Sequence, residues 1–223
     1  MDAVKLSHGA TSERNQRLWA LVAPRYGTLD LSHDRLHVVR VHHWALELAA
    51  AEGLDVDLAG AAGLVHDLVE IPKDHPDRSK ASQRSAEAAR GPLEAAGYDP
   101  MEIEQVAEAV AGSSWSAGQA PVSRLAAVLQ DADRLDAIGA VGMARCFVCA
   151  QSFNRGQGLL YAPGDPLHRT DRALDDKAHA VDHFFVKLMR LAEGMHTVAG
   201  RQEAALRHAT MVAFLEALGR ELG

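Results

Sequence analysis

Apolar positions recur at intervals of three and four along most of the chain, a spacing that predicts amphipathic helices rather than alternating strands. A first helix is predicted over Glu13–Tyr26, with Leu18, Leu21 and Val22 on one face and Gly27 at its end. After a connection at Thr28–Ser32, a second runs from Asp34 to Glu52 and stops at Gly53, with His37, Val41, Trp44 and Leu48 along one face. The third starts from a cap at Asp55 or Asp57 and ends before Pro72; it buries Leu58, Ala61, Ala62, Val65 and Val69, and carries His66 and Asp67 in its last turns.

Pro72–Arg78 holds two prolines and dense charge and reads as a surface loop. Helices are predicted again over Ser79–Arg90, with a pause at Gly91-Pro92, and over Asp99–Ala111, where Asp99 caps and Pro100 occupies the first turn. A Ser/Gly connection, Gly112–Pro121, precedes a long apolar helical stretch, Val122–Ala150, and Gly156–Thr170 is loop-like. Two final helices are expected at about Leu174–Met195 and Ala199–Leu222.

Composition sharpens this to an all-α fold. Of 223 residues 48% are hydrophobic but only 5% aromatic, and Ala, Leu, Glu and Arg dominate where β-branched runs are scarce. No stretch reads as a linker, so the expectation is one domain over 1–223, with its core at about 30–150 and C-terminal helices at about 174–222 packed on it. A net charge of −7 leaves no basic stripe to neutralise a phosphate backbone, which argues against stable nucleic-acid binding. Met1–Ser12 lacks an apolar signal-like run, and no segment approaches the roughly 20 apolar residues of a membrane span; a cytoplasmic protein is expected. Cys146 and Cys149, the only cysteines, share one face of a helix among small apolar residues and read as core packing.

Candidate chemistry resides in charged groups on apolar helices. His37 lies on an apolar stripe, the His66–Asp67 doublet follows a run of small residues, and Asp131, Asp133, Arg134 and Asp136 interrupt the stretch after Val122. Burying such charges is costly without a partner, and one shared metal ion held by His37, His66, Asp67 and Asp133 accounts for all three segments. Two imidazoles and two carboxylates suit Mn²⁺, Fe²⁺, Co²⁺, Ni²⁺ or Zn²⁺ better than Mg²⁺ or Ca²⁺. Four protein ligands on a six-coordinate ion leave room for water and substrate, which suits metal-assisted hydrolysis.

The pattern His, His-Asp, Asp resembles that of the HD-domain metal-dependent phosphohydrolases. The resemblance extends through Ser-His-Asp-Arg-Leu-His from Ser32, His-Asp-Leu-Val-Glu-Ile-Pro-Lys from His66, Gln-Asp-Ala-Asp-Arg-Leu-Asp from Gln130 and Leu-Asp-Asp-Lys from Leu174, and is strongest to a subgroup of small bacterial HD hydrolases. It implies an all-helical HD bundle, an ion such as Mn²⁺ on the four residues above, and hydrolysis of a phosphoanhydride or phosphoester in a nucleotide. Only His75 falls between the doublet and Asp133, which favours one metal over two.

Further roles divide between function and bland alternatives. Glu70 matches an acidic position that guanosine-polyphosphate hydrolases of the superfamily place near the attacking water; it reads equally as a general base, joining Asp67 in catalysis, or as a solvated helix-end carboxylate. Lys73, His75, Arg78 and Lys80 form either a phosphate clamp or a solvated charge run. His33 and Asp34 are placed to line the pocket, although Asp34 equally fits a helix cap, and Asp136 is placed to orient a ligand or Arg134. Lys177 matches the subgroup's Asp-Asp-Lys and is a candidate substrate contact, whereas His179 and His183 read as structural. The chain departs from the subgroup at Ser113 and Ala127, where relatives carry His and Lys, which puts the usual substrate in question. Two alternatives therefore stand beside a nucleotide hydrolase: an HD scaffold repurposed for a non-nucleotide metabolite, and a metal-containing sensing module without turnover. A homodimer is compatible with a bundle of this size, but no surface stripe identifies an interface.

Overall fold

The computed structural model describes residues 5–6, 9–27, 34–69, 71, 75–113, 120–153 and 158–223. Among these there are nine α-helices and no β-strand, as the hydrophobic spacing predicts. The chain divides into two compact units, residues 1–133 and 134–223, where the sequence pattern predicts one domain.

In the first unit, α1 (Glu13–Val22), α2 (Arg35–Ala51), α3 (Val56–Val65), α4 (Ala81–Ala96) and α5 (Pro100–Ala111) surround a core that includes Leu18, Val41, Leu46, Leu64, Leu93 and Val106. Most starts are side-chain capped. Ser12 accepts from Asn15 N, Asp34 from His37 N and Asp55 from Asp57 N and Leu58 N, while Asp99 and Glu102 form a reciprocal capping box at α5. Helices α2 and α3 approach so closely that a Cβ on Gly63 would sit 3.0 Å from the His42 Cα. A second close approach, at Gly60, admits the fully buried Asn15. Asn15 Nδ2 donates to the Asp57 carbonyl and the Tyr98 hydroxyl, each at 2.9 Å, and its Oδ1 lies 2.9 Å from His42 Nε2. One amide thus ties α1 to α2, α3 and Tyr98 in the turn between α4 and α5.

Three helix limits differ from the pattern. α4 runs through Pro92 without the expected pause. A proline there removes the N–H that would bond the carbonyl of Ala88, and Arg25 Nη1 donates to that carbonyl instead, at 3.3 Å. The stretch from Val122 is two helices, α6 (Arg124–Asp136) and α7 (Gly139–Phe153), broken where Gly139 adopts φ +73°. α3 stops at Val65, so His66 and Asp67 lie beyond its last turn rather than within it.

The second unit begins inside α6 and holds α7, α8 (Met189–Leu191) and α9 (Val198–Leu222). α7 packs on α9, with Phe147, Phe184 and Phe214 in mutual ring contact. The helix expected over Leu174–Met195 forms only in its second half, as α, π and 3₁₀ turns over residues 182–194. Its first part is a turn and a β-bridge between His179 and Leu159, followed by a π-helical turn at Phe184–Leu188. The cause is local: Arg172 grips the fully buried Asp182 with two hydrogen bonds, of 2.7 and 2.5 Å, and Asp182 also accepts from Asp175 N at 2.8 Å, which holds the chain in a loop. Cys146 is buried and Cys149 half-buried; both are free thiols, consistent with packing.

Candidate metal centre

Three elements of the first unit bring four side chains together. His37 stands in the first turn of α2, His66 and Asp67 follow α3, and Asp133 lies on α6. Both imidazoles are buried, 1% and 2% exposed, whereas the two carboxylates are partly open to solvent. The Nε2 atoms of His37 and His66 are 3.2 Å apart, with ring planes at 70°. Asp67 Oδ2 lies 3.7 Å from the first nitrogen and 3.5 Å from the second, and Asp133 Oδ1 lies 3.6 and 3.9 Å away.

His37, His66 and Asp133 offer ligand atoms that all lie within 4.8 Å of one another, and their separations fit a coordination shell; Asp67 stands beside both imidazoles but outside that group. Ligand atoms bound at about 2.1 Å and at right angles to one another stand roughly 3.0 Å apart, and wider angles lengthen the edge. The tautomer also fits: His66 Nδ1 is 2.9 Å from the Gly63 carbonyl, which can only accept, so Nδ1 carries the proton and the Nε2 lone pair faces the cluster. His66 is the C-cap of α3, still in helical backbone conformation (φ −61°, ψ −32°), and Asp67 follows it where the helix ends. The Tyr26 hydroxyl, 2.6 Å from the Leu64 carbonyl, occupies one of the acceptors left at that helix end. Burial, reinforced by the Asp67 charge, holds this phenol well above its ordinary value, so it remains a donor.

A small cleft of about 50 Å³ opens beside Asp67 and is lined by Arg25, Tyr26, Val69 and Arg78 among others. Arg78 donates to the Ile71 carbonyl at 2.7 Å, which fixes its guanidinium. Arg78 thus lines the same cleft as Asp67. Arg25 and Tyr26 were not singled out in the sequence, where they read as the end of an apolar helix.

The remaining candidates separate. Asp34 accepts from His37 N at 3.0 Å and is the cap of α2. His75 is exposed and its Nδ1 accepts from Asp77 N at 3.1 Å, while Lys80 pairs with Asp77 at 2.7 Å. Asp136 accepts from Arg145 at 2.7 Å, and His183 pairs with Asp176 at 2.8 Å. Lys177, in the second unit, is exposed on a turn where its N–H donates to Asp175. Ser113 is buried with its hydroxyl on the Val110 carbonyl at 2.8 Å, and Ala127 is half-buried on α6. His33, Glu70 and Lys73 lie outside the described residues.

The HD domain family matches residues 36–138, a span that contains all four cluster residues. Over 194 residues, 85% of this chain and 84% of the relative, the sequence is 31% identical to YpgQ, an uncharacterized protein of Bacillus subtilis (strain 168). The chain belongs to the HD family. Its likeness to solved HD relatives extends over nearly the whole length. A structure of Bacillus subtilis YpgQ in complex with ADP superposes with a TM-score of 0.71, covering 93% of this chain and 94% of that one at 31% identity. An HD-superfamily hydrolase from Bacillus thuringiensis gives 0.67, covering 94% of this chain and 98% of that one at 27% identity.

Proposed function

We propose that this HD protein is a metal-dependent phosphohydrolase that cleaves a phosphoanhydride or phosphoester bond in a nucleotide or similar small phosphate. The observation that carries the reading is the convergence of two imidazole nitrogens and the Asp133 carboxylate, with Asp67 beside both rings and one imidazole fixed as a ligand tautomer by Gly63. YpgQ, solved with ADP, supports a nucleotide as the substrate class.

His37, His66, Asp67 and Asp133 would hold one divalent ion, with Mn²⁺ as the first expectation. Such an ion polarises a phosphoryl oxygen and lowers the pKa of water. The chain's own part is orientation and charge. Buried His37 and His66 form the floor, and the more open carboxylates leave the solvent side accessible. Arg78 offsets negative charge in the cleft it shares with Asp67, with Lys73, His75, His33 and Asp34 as further substrate contacts. Glu70 accepts the proton of the attacking water. In this reading the protein works in the cytoplasm on a soluble phosphate.

The test is phosphate and pyrophosphate release from a nucleotide panel by metal-stripped protein reloaded with Mn²⁺, beside Asp67→Ala and Asp133→Ala. Metal-dependent release that both substitutions abolish is the expected result, and its product identifies the bond. Full turnover in either variant sinks the mechanism. Silence across the panel favours the repurposed scaffold, for which the buried, internally bonded Ser113 hydroxyl is the specific motive.

A further inference from the structure

Gln16, Trp19 and Ala20 of α1, and Ala23 in the 3₁₀ turn that continues it, stand at helical intervals and line one stripe. Two alanines leave that stripe recessed. Between it and the Lys5–Leu6 segment on one side and Arg35 of α2 on the other lies a groove of about 520 Å³. None of the four candidate metal ligands lines it. Its wall is fixed, since Trp19 stacks on Tyr26 with ring centroids 6.2 Å apart.

Arg35 is the decisive residue. Arg35 is half-buried, but its Nε is buried and has no hydrogen-bond partner among the described residues, and its neighbour Asp34 has its carboxylate at the cap of α2. A buried donor without an acceptor is both rare and costly. Lys5 adds a second positive charge, and no carboxylate stands among the described residues of the lining, in a chain whose net charge is −7. A volume of this size, mainly apolar with a few convergent polar groups, is that of a small-molecule site.

We infer that the groove binds a small organic anion: a carboxylate, sulfonate or phosphate head against Arg35 and Lys5, and a flat apolar body over Ala20, Ala23 and Pro24. Occupation supplies the acceptor that Arg35 Nε lacks. The inference does not rest on the hydrolase reading.

Calorimetric titration of the full chain with 2-naphthoate tests it, with manganese uptake as a check on fold and metal centre. One-to-one binding is expected, weakened at least tenfold in Arg35→Gln and lost in Ala20→Trp, which fills the groove from an exposed position; both variants should still take up Mn²⁺. Absence of binding by the wild type up to the solubility limit overturns the proposal. So does unchanged binding in both variants, loss of binding in Asp133→Ala, or equally tight binding of inorganic sulfate.

Discussion

His66 donates its Nδ1 proton to the carbonyl of Gly63, three residues earlier in the chain, across 2.9 Å. The bond fixes both the ring's orientation and its tautomer, and it is available because the helix ends between the two residues' hydrogen-bonding groups. The readiness of His66 as a ligand is therefore a product of local backbone geometry.

Removing a ligand should remove metal-linked stability. An ion at a hundredfold excess over its Kd stabilises the folded state by about 2.7 kcal/mol. Thermal melts with and without Mn²⁺ should show this gain in the wild type and none in His66→Gln or Asp133→Ala; an equal gain in either variant would place the ion elsewhere.

Gly63→Ala puts a methyl group 3.0 Å from the His42 Cα, a backbone atom that cannot turn aside. The strain should cost about 1–3 kcal/mol and separate α2, which bears His37, from α3, whose end leads into His66. Urea unfolding measures the first effect and Mn²⁺ titration the second, which should weaken in parallel.

Arg78→Ala should lower kcat/KM by roughly 10- to 100-fold, a loss of about 1.4–2.8 kcal/mol, chiefly through KM. Arg78→Lys should restore little of it, because a single ammonium does not reproduce a planar guanidinium that already spends one donor on Ile71. Wild-type kinetics in either variant would return Arg78 to the solvated charge run.

Burial pushes the Asp182 carboxyl upward, but hydrogen bonds and charge from Arg172, with the Asp175 amide, outweigh it, and the net shift is downward. A pKa lower in the folded than in the unfolded chain contributes stability that is present above the unfolded value of about 3.9 and is lost as pH falls through the folded value. Asp182→Asn should cost about 1–3 kcal/mol at neutral pH, since it removes the nearer of Arg172's two carboxylate partners and leaves Asp165 at 3.5 Å. Its melting temperature should then fall less steeply than the wild type's between pH 5 and pH 2; parallel curves would exclude Asp182 as a source of the acid response.

Most helices and the grouping of His37, His66 and Asp133 were legible in the sequence, because helix periodicity and charge on apolar faces are local signals. The end of α3 was not. Leu68 and Val69 continue its apolar spacing without Gly or Pro, and the stop depends on distant partners: the Tyr26 hydroxyl on Leu64 O, and Ser85 Oγ, which accepts from Val69 N at 3.0 Å. Pro92 misled in the opposite sense, since its orphaned carbonyl acceptor finds a donor in Arg25, 63 residues away in sequence. The break before α7 was readable in principle, as Gly139 is the residue that tolerates its positive φ. The loop at Asp182 escaped because Arg172 and Asp175 read as ordinary surface charge until the fold buries their partner.

The cap of α2 has a consequence for how this centre tolerates change. Asp34 and His37 are joined through the latter's own amide, so the helix's first residue and the ligand's bearing are set by one bond. A residue inserted before Asp34 leaves that bearing untouched. The same residue inserted between Asp34 and His37 turns the imidazole by about 100° around the helix axis, away from its three partners. Length variation among natural or engineered versions of this chain should accordingly be permissive up to Asp34 and forbidden for the three positions that follow.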